Sequence, residues 1–144
     1  MTIPRGFRNN NPGNLRELKG DKTQWQGERS TDDDAGFEEF ETMEHGLRAM
    51  IVVLRTYIKR KGLDTIEKII PVYAPATEND VEAYIQVVSL ISGLQRDAVI
   101  DFTYDDMHRL VHAMVYHENG RALPNGVFDK AWAMLFPKSK EATT

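Results

Sequence analysis

The chain has no cysteine among its 144 residues. Disulfides, thiolate metal sites and a cysteine nucleophile are therefore excluded. The compartment stays open, because a protein without thiols tolerates either redox environment. Long hydrophobic runs are also missing. No stretch approaches the roughly 18 apolar residues of a membrane span, and the opening Met1-Thr2-Ile3-Pro4-Arg5-Gly6 lacks the apolar core of a signal peptide. Neither a membrane span nor a cleaved leader is expected, so a separate factor must deliver the protein to any substrate outside the cytoplasm.

Positive charge is not in excess: the formal net charge is -4 at pH 7. No protein-wide field exists to recruit a phosphate backbone, and nucleic acid is not an expected partner. The local group Arg5, Arg8, Arg16 and Lys19 could contact an anion, and a solvated basic face is the simpler reading. Serine occurs only at Ser30, Ser89, Ser92 and Ser139, none in a nucleophile-elbow context. His45, His108 and His112 do not form a ligand constellation, and Asp32-Asp33-Asp34 lacks the regular acidic spacing of a calcium loop. No metal and no cofactor are expected.

What is present is an ordinary globular composition, 41% hydrophobic and 28% charged with the signs mixed. A chain of this size builds one core, so residues 1–137 are expected to form a single domain and 138–144 a polar tail. Residues 1–20 are dense in turn formers (Pro4, Gly6, Asn9, Asn10, Asn11, Pro12, Gly13, Asn14, Gly20), which predicts an irregular loop without helix. Aromatic runs around Trp25 and from Phe37 to Phe40 flank the turn Asp32 to Gly36 and predict a small β-hairpin.

Helical spacing then takes over. Leu47, Met50, Ile51, Leu54, Tyr57 and Ile58 follow a Thr42 cap and stop at Gly62; Ile66, Ile69 and Ile70 share a face ahead of Pro71 and Pro75. Val81, Tyr84, Ile85, Val88 and Ile91 follow Thr77 and stop at Gly93. Met107, Leu110, Val111, Met114 and Val115 follow a Thr103 cap, and Phe128, Ala131, Trp132 and Leu135 supply a last short helix. The expected class is mainly α, formally α+β.

One residue breaks the pattern. Extending the stripe of the fourth of these helices by one step reaches Glu118, in His117-Glu118-Asn119-Gly120. A carboxylate on a buried face must be paired, held protonated or solvated by a cleft. The helix C-terminus disfavours a further anion by roughly 0.3 to 1 kcal/mol. Both conditions favour the protonated acid that glycosidic cleavage needs to protonate a leaving oxygen. The alternative is that the helix has ended and Glu118 faces solvent or pairs with Arg121; the two readings stand side by side on spacing alone.

Three further stretches join this one: Arg5-Gly6-Phe7-Arg8-Asn9-Asn10-Asn11-Pro12-Gly13-Asn14-Leu15-Arg16; Trp25-Gln26-Gly27 with Phe37-Glu38-Glu39-Phe40; and Tyr73-Ala74-Pro75-Ala76-Thr77-Glu78-Asn79-Asp80 leading to Tyr84-Ile85. Together, over residues 4 to 120, they resemble phage-encoded virion proteins with a lysozyme-like domain of the lytic-transglycosylase type. The order Asn10 to Asn14, Trp25-Gln26-Gly27, aromatic strand and helix also looks like the segment following the catalytic helix of flagellar-type glucosaminidases. Here the glutamate helix comes last, so the resemblance implies a circularly permuted lysozyme-like fold.

The resemblance implies a cleft between a helical lobe and the hairpin, with Glu118 as general acid and base at its floor and peptidoglycan glycan as partner. Asn11, Asn14, Trp25, Asn79, Tyr84, His117 and Asn119 are then candidate substrate-binding residues. Ordinary hydrolysis uses two carboxyl groups, and Glu28, Glu38, Glu39 and Glu41 are unranked candidates for the second. A transglycosylase, by the same resemblance, manages with one glutamate while a hydroxyl of the sugar attacks. The implied setting is a phage virion, with other virion proteins as further partners, or an infected host, acting on the bacterial wall. The competing expectation is a non-catalytic virion or glycan-binding protein of the same shape.

Overall fold

The computed structural model of the chain describes residues 2–17, 24–31, 33–34, 36–77 and 79–136. Lys19, Asp32 and Ala35 of the expected turn, Glu78 and the expected tail 138–144 lie outside the described residues.

The architecture is mainly helical. Six helices are described: α1 (Arg5–Arg8), α2 (Met43–Arg60), α3 (Ile66–Tyr73), α4 (Val81–Ser92), α5 (Tyr104–Asn119) and α6 (Val127–Leu135). The predicted Thr caps are in place: Thr42 accepts from the His45 amide and Thr103 from the Asp106 amide. Gly93 and Gly120 close α4 and α5 at φ 76° and 69°, the left-handed region where a side chain would be strained.

One boundary departs from the sequence reading. α4 starts at Val81, capped by Asp80 and not by Thr77, because the Asp80 carboxylate accepts from the Ala83 amide. α3 runs through Pro71 and ends at Tyr73, ahead of Pro75.

α2 packs on α6, α4 on both α3 and α5, and α1 on α5. The stripes read from the sequence converge on one core containing Leu47, Met50, Leu54, Ile69, Tyr84, Val88, Leu110, Met114 and Phe128. A smaller cluster of Leu15, Phe40 and Ala49, with Trp25, Val53 and Tyr73 against it, fastens the N-terminal loops to α2.

Those loops correct two expectations. The segment expected to lack helix contains the single turn α1, closed by amides of Arg8 and Asn9 donating to Pro4 O and Arg5 O, both 2.9 Å. Among the described residues the expected hairpin is reduced to an isolated antiparallel bridge, Glu28 to Phe40, and a second such bridge joins Arg16 to Phe37. Backbone bonds cross around the Glu28 to Phe40 bridge, the Arg29 amide donating to Glu39 O and the Glu41 amide to Gly27 O, both at 2.8 Å, and side chains add to them. Asn10 Nδ2 donates to Phe40 O and Glu41 O, and fully buried Asn11 donates to Leu15 O and Glu38 O while accepting from the Leu15 amide. The side chains of Asn10 and Asn11 thus strap residues 38–41 to the loop, while Asn9 Nδ2 donates to Asp34 Oδ2 at 3.1 Å.

Candidate functional site

Glu118 sits in the last turn of α5 and is half-buried. Asn14 Nδ2 donates to its Oε1 at 2.9 Å and the Tyr84 hydroxyl to its Oε2 at 2.8 Å. Each carboxylate oxygen therefore holds one donor and keeps one acceptor direction open. The loop delivers Asn14 because its backbone adopts φ 51°, which asparagine tolerates better than most residues. Tyr84 is fully buried on α4, and its hydroxyl is pushed well above the ordinary tyrosine value, first by burial and then by the Glu118 charge. It is a neutral donor throughout the working pH range.

His117 lies off the carboxylate, its ring 3.9 Å from that of Tyr84. Burial depresses its protonation against the opposing pull of Glu118, so the imidazole is neutral at pH 7. Arg121 lies over the Phe7 ring at 5.8 Å, away from the pairing with Glu118 that the sequence left open.

Glu118 borders a pocket of about 80 Å³ lined by Asn14, Arg16, Phe37, Tyr73, Ala74 and Asn79. Asn14, Arg16 and Tyr73 also line a wider neighbouring groove of about 370 Å³, whose walls include Trp25, Glu38, Tyr57 and Lys61. The two join along those shared residues. Tyr73 is fixed between them by donating its hydroxyl to Gly13 O at 2.6 Å.

The predicted residues therefore separate. Glu118, Asn14, Asn79 and, through its hydroxyl, Tyr84 come together; Trp25 lines the wider groove at a distance from the carboxylate. Asn11 is buried in the loop with its amide committed to backbone. Asn119 donates to Pro12 O at 2.7 Å and Val115 O at 3.0 Å, joining α5 to the loop. Arg16, Phe37, Tyr57, Lys61 and Tyr73 were not singled out as site residues, although all but Tyr57 and Lys61 fall inside the quoted motifs. What marks them is a shared cavity, which spacing does not reveal.

Of the four candidate second carboxylates, Glu39 is 4% exposed and holds the amides of Asp33 and Asp34 at 2.7 and 2.8 Å, with Arg29 at 3.3 Å. It closes a loop beside a separate polar pocket lined by Arg5, Arg8, Asn9 and Arg29. Glu28 accepts from the Trp25 amide in a turn. Glu38 lines the wider groove.

Fold and site define a small, mainly helical domain with a carboxylate anchored by an amide and a phenol at the edge of an aromatic groove. No known family model matches the chain. It is 45% identical over 117 residues to Protein P5 of Pseudoalteromonas phage PM2, a match that covers 81% of this chain and 71% of that protein. The chain belongs to the same family as that bacteriophage protein. No helix among the described residues is long and apolar enough to cross a membrane.

Proposed function

We propose that the protein cleaves the glycan strand of peptidoglycan by transglycosylation, with Glu118 as the acid and then the base. The observation that carries this reading is the placement of Glu118: a carboxylate lining the small pocket that adjoins the groove, oriented by Asn14 and Tyr84. Glu118 protonates the glycosidic oxygen as its bond to the anomeric carbon breaks, so the leaving sugar departs as an alcohol. The C6 hydroxyl of the retained sugar then bonds to that carbon and returns its proton to Glu118. The product is a 1,6-anhydro sugar, and proton and bond counts close.

The groove supports a sugar ligand, since Trp25, Tyr57 and Tyr73 offer faces to apolar ring surfaces while Asn14 and Asn79 offer amides to hydroxyl and acetamido groups. Kinship with a bacteriophage protein supports a virion setting, with virion proteins as further partners. The lysozyme-like, permuted arrangement belongs to this proposal. It is supported by the loop with Asn14 preceding α2 and meeting a glutamate helix that comes later in the chain.

The test is digestion of purified peptidoglycan with product analysis by mass spectrometry. Anhydro-muramyl products are expected. Reducing ends would redirect attention to Glu38 as a second carboxyl group, and intact glycan would sink the enzyme reading in favour of a glycan-binding or particle protein. Glu118→Gln keeps shape and removes the acid, and should lower turnover by about 10² to 10⁴-fold with an unchanged circular dichroism spectrum.

A further inference from the structure

Two side-chain oxygens beside Glu118 have an unusual environment. Among the described residues, neither Asn14 Oδ1 nor Asn119 Oδ1 accepts a hydrogen bond, and both atoms are buried. Their amide nitrogens fix which way each side chain points. Asn14 Nδ2 donates to the Glu118 carboxylate, and Asn119 Nδ2 donates to two carbonyls, so neither amide can be reversed without setting oxygen against oxygen.

Both oxygens are therefore turned toward one place, the α-carbon of buried Gly6 in α1. A methyl group there would run into Asn119 Oδ1 and lie 2.8 Å from Asn11 O and 3.0 Å from Asn14 Oδ1. The φ of Gly6 is helical, so backbone freedom is not what requires glycine here. Space is. The Gly6 carbonyl in turn accepts from the Asn11 amide at 2.7 Å, and Asn11 O accepts from the Asn14 amide at 2.9 Å, which seats the loop on this same point.

We propose that Gly6 and Asn119 are positioning residues for Glu118, acting through Asn14. Gly6 leaves the room that the Asn119 and Asn14 amide oxygens and the Asn11 carbonyl occupy, and Asn119 pins Pro12 so that the loop carrying Asn14 stays against α5. The proposal rests on Glu118 being the reacting acid for its consequence in turnover, but the clamp itself is a statement about Asn14.

The experiment follows the Asn14 side-chain amide by ¹H–¹⁵N NMR in the wild-type chain, in Gly6→Ala and in Asn119→Ala, alongside digestion kinetics. In the wild type the Asn14 amide protons should exchange slowly with water. In both variants they should shift and exchange rapidly, while the circular dichroism spectrum stays native. Turnover should fall by up to about a hundredfold, as for a small misplacement of a reacting group, with KM little changed. In an Asn14→Ala background neither substitution should lower kcat further.

Asn119→Ala adds no atoms and serves if Gly6→Ala does not fold. An unperturbed Asn14 amide in the folded variants would overturn the proposal, as would a full further loss of kcat on top of Asn14→Ala. Wild-type protein that leaves glycan intact would remove the enzymatic reading, and the amide spectra would still decide the clamp.

Discussion

At the residue scale, the site depends on a donor that burial keeps neutral. Tyr84 contributes its ring to the core and its hydroxyl to Glu118, so Tyr84→Phe separates the two roles. The ring stays packed, and what is lost is a hydrogen bond to a charged group, about 1.5 to 3 kcal/mol in stability, measurable by urea unfolding. On the proposed chemistry, turnover should fall with it. Of this constellation, Glu118 was legible because a charged residue interrupted an apolar stripe, a purely local signal. Its partners were named only as wall candidates, since Asn14 lies 104 residues away and Tyr84 34 residues away, separations that no periodicity reports.

At the scale of elements, the sequence spoke clearly wherever an element is stabilised by its own neighbours. Thr103 caps α5 through an amide three residues on, and Thr103→Ala should cost about 1 kcal/mol. Asn11→Ala should cost more, about 3 kcal/mol in the same denaturation experiment, because it strands buried backbone groups of Leu15 and Glu38. That contrast also bears on the hairpin. Composition around Trp25 and Phe37 to Phe40 announces strands, and residues 27–29 do pair with 39–41, but the segment is also held by the side chains of Asn10 and Asn11, whose turn-forming chemistry reads as mere loop. The single turn α1 was hidden for the same reason: its place is set by packing against α5 and not by its four residues alone.

At the scale of the whole molecule, pH offers a handle. His108 is held below the ordinary histidine value of 6.5 by burial and by His112, against the opposing charges of Asp129 and Asp105; His117 is held below it by burial, against Glu118. Between the folded and unfolded values the unfolded chain binds more protons, so this stability is fully present above about 6.5 and declines as pH falls. The Asp34 carboxyl, lowered by Asn9, and Glu82, lowered by Arg96 to about 2, act only beneath their ordinary values of 3.8 and 4.5. Thermal midpoints should therefore fall as pH drops below about 6.5, and a His108→Phe, His117→Phe double variant should flatten that slope.

The bond between Asn14 and Glu118 has one more consequence, in time. During translation Asn14 is added 104 residues before its carboxylate partner. A growing chain that has not yet released α5 from the ribosome has no assembled pocket, whatever its first hundred residues have already folded. Any activity that needs this pocket therefore waits until α5 docks.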